Sequence, residues 1–203
     1  MPELRSQYIT QGVNVMAVSL QKGQKVELRK SDGSSLKRVI VGLGWDVAVK
    51  GHSIDCDASA FACRNGKLMN SSDIVYFGHL KHSSGSIIHT GDNLTGAGDG
   101  DDEQIIVDFS KLPQDYDKIV FVVNIYNSKQ RRQHFGMIQN AFIRIVDAES
   151  NTELCKYNLT EDYDQMTAMI FGEIYLRNGQ WKFNAIGQGT KDSSVDDLAA
   201  RFR

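Results

Sequence analysis

The chain predicts an all-β fold, mainly an antiparallel two-sheet β-sandwich with a few short helices. Three observations carry that expectation. Short runs rich in Val, Ile, Phe and Tyr recur between clusters of Gly, Asn, Asp and Ser. Asn-Gly pairs sit between two sets of such runs, where a tight β-turn needs positive φ angles. Helical periodicity is sparse. Many short strands at regular spacing suit two packed sheets better than a parallel α/β sheet.

In chain order, the first predicted strand is 13–20, built on Val13, Val15, Val18 and Leu20. The run 37–42 holds Val39, Ile40 and Val41 and stops at Gly42. The run 58–63 places Phe61 among small residues, and 74–77 reads Ile-Val-Tyr-Phe. Residues 87–89 and 104–109 flank an acidic stretch and read as strands through Ile87, Ile88, Ile105, Ile106 and Val107. Strands are further expected at 119–126, 141–146, 152–157, 168–177 and 181–186. Arg177-Asn178-Gly179-Gln180 marks a type I′ hairpin between the last two, and Arg64-Asn65-Gly66-Lys67 repeats the signal after 58–63. Helix is expected only near 130–139 and at 194–203. In the latter, Ser194 can cap the helix, Asp196 and Asp197 occupy its first turn, and Val195, Leu198 and Phe202 share one face. The expected organisation is an N-terminal extension at 1–12, one sandwich domain at 13–191 and a short C-terminal helix or tail at 192–203.

Composition bounds the function. A net charge of −2 over 203 residues argues against a general electrostatic role on nucleic acid or an anionic membrane. No stretch approaches the roughly 20 apolar residues of a transmembrane helix, and the first residues lack the apolar centre of a signal peptide. Cys56, Cys63 and Cys155 are odd in number and form no CxxC pair, which predicts reduced, partly buried thiols in a cytoplasmic protein.

The chemistry concentrates in residues 92–103. They hold Asp92, Asp99, Asp101, Asp102 and Glu103, with Asn93 beside them, in a loop broken by Gly96, Gly98 and Gly100. From His82 to Ser110 there is no Lys or Arg, although six of the chain's 25 Asp and Glu lie there. Crowded carboxylates repel one another unless solvated, protonated or neutralised. Hard oxygen donors in a pliable loop suit Ca2+, which accepts about 6–8 oxygens in irregular geometry. The loop is not an EF-hand: its third, fifth and sixth positions are Leu94, Gly96 and Ala97, and its flanks are strands. Further donors are therefore sought elsewhere. Asp55 and Asp57 share one side of an extended backbone, and Asp46 follows Trp45 just after a strand. With Asp92, Asn93, Asp99, Asp101, Asp102 and Glu103 they form the candidate ligand set for one or two Ca2+ ions. A solvated turn is the competing reading of the same residues.

Other chemistry finds less support. The histidines are dispersed, Gly91 to Gly96 lacks the Lys-Ser/Thr of a P-loop, and no Gly-x-Ser-x-Gly occurs. No catalytic residue and no organic cofactor is expected. A metal-dependent binder or enzyme acting on a phosphate-bearing ligand stays as the alternative, and would need Arg131, Arg132 or Lys81 beside the acids.

Several motifs in order resemble the TerD tellurium-resistance family. They are Val41-Gly-Leu-Gly-Trp-Asp46, Asp55-x-Asp-Ala-Ser-Ala-Phe61, and His89-Thr-Gly-Asp-Asn-Leu-Thr-Gly96 followed by Gly98-x-Gly-Asp-Asp-Glu103. The resemblance continues through Asp117-Lys-Ile-Val-Phe-Val-Val123, Arg131-Arg-Gln-x-Phe-Gly136, Ala141-Phe-Ile-Arg144 and Tyr157-x-Leu-Thr-Glu161. It closes with Thr167-Ala-Met-Ile-Phe-Gly-Glu173 and Gly179-x-Trp-Lys-Phe183, so it covers about 15–190. It implies a calcium-binding β-sandwich of a bacterial stress-response system, with other stress-system proteins as partners and membrane contact only through them. It also implies that the acids at 46, 55, 57 and 92–103 are the ligands. Cys56 stands where the family usually has an aliphatic residue between the two aspartates.

Overall fold

The computed structural model describes residues 17–48, 53–91 and 100–203. Among these residues, twelve strands form two six-stranded sheets. The first sheet holds β1 (Val18–Leu20), β10 (Thr152–Asn158), β9 (Ile138–Asp147), β3 (Arg38–Val47), β7 (Glu103–Asp108) and β6 (Ile87–His89), in that order across the sheet. The second runs β2 (Lys25–Glu27), β12 (Gln180–Thr190), β11 (Ala168–Arg177), β8 (Lys118–Ile125), β4 (Cys56–Cys63) and β5 (Ile74–Val75). Every pairing is antiparallel except β1 with β10. The predicted sandwich is therefore the fold.

Alternation along the strands explains the layering. Val39, Val41, Leu43 and Trp45 of β3 face Cys56, Ala58, Ala60 and Ala62 of β4 and Phe121 and Val123 of β8 in one buried cluster between the sheets. The small residues of β4 leave room for the large ones opposite. The intervening residues of the second sheet are apolar too: Phe61, Cys63, Val120, Val122 and Ile170 build a second cluster on its outer surface. Helix α2 (Val195–Ala200) covers that surface with Leu198 and Ala199, and Phe202 meets Phe61 edge-on with ring centroids 5.7 Å apart. Each fully buried large apolar side chain contributes about 1.5–3 kcal/mol, so the outer cluster accounts for a helix that propensity alone would not hold.

Some boundaries differ from the sequence expectation. The 177–180 hairpin forms as expected, with Asn178 and Gly179 at φ 53° and 72°. The 64–67 turn forms as well, Asn65 and Gly66 being left-handed, but an irregular stretch and a 3-10 turn (Ser71–Asp73) precede β5. The expected 130–139 helix is a correction. One helical turn, α1 (Ser128–Arg131), ends in left-handed Arg132, a 3-10 turn follows at Phe135–Met137, and β9 takes over at Ile138. Pairing with Val47 draws Ile138 into the sheet. Strand β2 escaped the sequence reading because Lys25-Val26-Glu27 has one apolar residue. The 1–12 extension lies outside the described residues, as do 13–16 of the first predicted strand.

At the end of β7, Asp108 is buried and accepts from the Ser110 amide (3.1 Å) and hydroxyl (2.5 Å) and from Arg38 (2.9 Å). Burial by itself would raise this carboxyl, but those bonds and the charges of Arg38 and Lys111 bring it down to about 2. Its contribution is complete above the ordinary value of 3.8 and disappears as pH falls through about 2. Asp108→Asn should cost about 1–2 kcal/mol at pH 7, after allowing for the half-exposed Arg38. Urea melts should show parent and variant converging as the pH approaches that folded-state value.

Candidate functional site

One rim of the sandwich collects the acids. Leu43 pairs with Glu103, His89 with Ile105 and Cys56 with Ile125, so β3 and β6 end where β4 and β7 begin. Asp46, Asp55, Asp57, Asp101, Asp102 and Glu103 all lie at this rim. Asp92, Asn93 and Asp99 fall outside the described residues.

Three consecutive acids at the start of β7 go to three different places. Asp101 lies on the outer face of the first sheet, over Gly42. A Cβ at Gly42 would sit 2.3 Å from the Asp101 carboxylate, so only glycine admits the carboxylate there. Both Asp101 oxygens are engaged: Arg144 donates to Oδ1 from Nε (2.7 Å) and to Oδ2 from its second terminal nitrogen (3.0 Å), and Gln104 adds 2.9 Å to Oδ2. Arg144 is also bonded to Glu153 at 3.1 Å. The loop that lacks positive charge in sequence thus receives one from β9. Nearby Gly44 accommodates the Phe142 ring and the Gly100 carbonyl oxygen, which a Cβ would meet at 2.4 and 2.8 Å.

Asp102 turns to the backbone of β3. Its Oδ2 accepts from the Trp45 amide at 2.7 Å, and its own amide donates to the Leu43 carbonyl at 2.8 Å. Burial raises its carboxyl above the usual value. The Trp45 bond opposes that rise, and the negative charges of Asp46 and Asp101 add to it. Asp46 itself is exposed and accepts from Asn140 at 2.8 Å.

Glu103 points between the sheets. Its side chain is wholly buried, and Oε2 accepts from the Ala58 amide of β4 at 2.6 Å while His89 Nε2 faces it at 3.4 Å. The Gly91 amide donates to His89 Nδ1 at 3.1 Å, which leaves the ring proton on Nε2, toward Glu103. Among the described residues, β4 has a strand partner on this side only at Ala60 and Phe61, and Glu103 reaches its Ala58 amide from the opposite sheet.

Asp55 stands before β4, 3.5 Å from the guanidinium of Arg131, whose charge also lies over the Tyr126 ring at 5.4 Å. Asp57 is buried on the outer face of the second sheet, opposite Asn124. Between them Cys56 faces the interior. Burial pushes its thiol well up, and Asp57, Glu103, Asp55 and Asp102 add to that rise in that order. Four carboxylates from two strand starts thus surround one core thiol. Cys63 and Cys155 are buried as well, and burial first of all pushes each thiol up to about 12.

Among the described residues, no three His, Cys, Asp or Glu converge as a metal-holding group. These acids supply charge at one rim, and a shell of about 6–8 oxygens needs donors from 92–99 as well. Sequence reading missed Arg144, His89 and Asn140 as partners of the acids. Arg144 and Asp101 are 43 positions apart, so only strand register joins them. The signal for His89 was its place at the head of the acidic motif.

The TerD domain family matches the chain over residues 16–202. The stress response protein SCP2 of Bacillus subtilis (strain 168) is 47% identical over 199 residues, spanning 92% of this chain and 100% of that protein. The tellurium resistance protein TerD of Serratia marcescens is 50% identical over 176 residues, spanning 86% and 91%. The crystal structure of a homologue of telluride resistance protein (TerD) from Streptomyces coelicolor A3(2) has a TM-score of 0.63 at 20% identity. It covers 79% of this chain and 94% of that one, and speaks for the fold.

Arg144→Leu would strand the buried Asp101 carboxylate and should destabilise the protein by about 3 kcal/mol in urea denaturation. Adding Asp101→Asn to it should recover part of that loss, because the second change removes the unpaired charge.

Proposed function

Because this chain belongs to the TerD family, we propose that it is a calcium-binding protein of a bacterial stress-response and tellurium-resistance system, acting as an ion-ordered interaction module. The observation that carries the proposal is the gathering of Asp46, Asp55, Asp57, Asp102 and Glu103 from three chain segments at the rim where 92–99 departs and returns. Mutual repulsion there is relieved by a cation, and oxygen donors on separate loops suit Ca2+ better than the smaller octahedral Mg2+. Asp55, Asp57 and Asp102 would hold the ion with Asp92, Asn93 and Asp99. Asp101, already paired with Arg144, would anchor the loop. One ion would tie three rim segments together and so fix the surface offered to another stress-system protein. The relatives above bear the names of resistance and stress proteins, which supports a binding role over catalysis. No helix among the described residues is long and apolar enough to cross a membrane.

A second reading keeps the ion and adds a phosphate-bearing ligand. It draws on Arg131, 3.5 Å from Asp55, since a guanidinium beside a bound cation suits an oxyanion.

Isothermal titration of chelator-stripped protein with Ca2+ tests the first reading. Saturable binding is expected, weakened at least about tenfold in Asp55→Asn/Asp102→Asn, each lost charge-assisted contact being worth about 1.5–3 kcal/mol. The melting midpoint should rise with Ca2+ by the equivalent of about 2.7 kcal/mol at 100 times the dissociation constant, and equal Mg2+ should not reproduce it. A folded parent that takes up no Ca2+ would sink the proposal. Inorganic phosphate that binds only in the presence of Ca2+, and not to Arg131→Ala, would favour the second reading.

A further inference from the structure

The outer face of the second sheet is apolar under α2 and then becomes polar toward the acidic rim. There Asp57, Ser59 and Asn124, all buried, form the floor of a cavity of about 220 Å³. Tyr76, Phe77 and Tyr126 wall it, and Phe77 and Tyr126 remain nearly half exposed. No Lys or Arg lines it among the described residues. Ser59 is 1% exposed, and its buried hydroxyl has no hydrogen-bond partner among the described residues. A buried hydroxyl left without a partner is destabilising and in need of an explanation. Ser59 lies two residues beyond Asp57 on the same strand face, and Asn124 is paired with Asp57 across β4 and β8.

We infer that this cavity binds a small organic ammonium ion. The floor offers a carboxylate, a hydroxyl and a carboxamide to N–H donors. The walls hold three aromatic rings, and a cation over an aromatic face is attracted by its quadrupole. A carboxylate has about four acceptor positions, so Asp57 can keep its existing contacts and still receive a ligand N–H. The same rim already treats one cation this way: Arg131 lies over Tyr126 and against Asp55. The cavity falls below the roughly 300–1,000 Å³ of drug-sized sites, which selects a compact amine with one apolar body. This goes beyond the calcium proposal. It calls on Asp57 alone of the proposed ion ligands, so Ca2+ and the amine would weaken each other's binding.

The test is titration of the full chain with 2-phenylethylamine, with 2-phenylethanol as the uncharged counterpart, in buffer containing a chelator so that Ca2+ plays no part. Saturable binding of the amine is expected, with the alcohol at least about tenfold weaker, as loss of a charge-assisted hydrogen bond implies. Phe77→Ala, at a half-exposed position, should weaken the amine about two- to fivefold, the value of an exposed cation–π contact. Asp57→Asn should weaken it about tenfold or more. Absence of saturable binding, equal binding of amine and alcohol, or an unchanged affinity in folded Phe77→Ala would overturn the inference. None of these outcomes depends on whether the rim takes Ca2+.

Discussion

A carboxylate with no access to water must find donors inside the protein, and Glu103 finds them across the sandwich. It originates in one sheet and accepts the Ala58 amide of the other, with His89 beside it. Two problems are met by one contact. The Ala58 amide, unpaired with any strand among the described residues, gains an acceptor, and a buried carboxylate gains a hydrogen bond of about 1.5–3 kcal/mol. The rim geometry depends on it, because the contact fixes where β7 starts and hence where the acids before it can lie.

Asp101, Asp102 and Glu103 follow from that anchor. Asp101 and Asp102 precede β7, where strand alternation does not yet hold, so the three reach the outer face of the first sheet, the backbone of β3 and the interior. Asp101 meets a guanidinium, Asp102 a backbone amide of its own sheet and Glu103 a backbone amide of the opposite sheet, with an imidazole beside it. An acidic run that would repel itself on one surface is thereby distributed over three. The two glycines of Gly42-Leu43-Gly44 serve the same end, since a side chain at either would collide with Asp101 or with the Gly100 carbonyl.

Much of this was legible in the sequence, and what was not has a physical reason. Strands with Val, Ile and Phe runs and the Asn178-Gly179 hairpin announced themselves, because local pattern and local turn chemistry agreed. Strand β2 did not, since Lys25 and Glu27 at its ends carry charge and only pairing with β12 makes them a strand. The segment 130–139 has residues tolerant of helix, yet register with Val47 outweighs propensity at Ile138. The acidic cluster stood out as composition. Its division into an anchored acid at 101 and rim acids at 46, 55, 57 and 102 did not, because Arg144 and Asn140 arrive through sheet register across long stretches of chain.

The three thiols give the protein a chemical temperament. Nucleophilic sulfur is the thiolate, and burial holds Cys56, Cys63 and Cys155 in the protonated form in neutral water. Electrophiles in the surrounding water therefore meet no exposed thiol. A chain so disposed keeps its cysteines under oxidising conditions that modify exposed thiols.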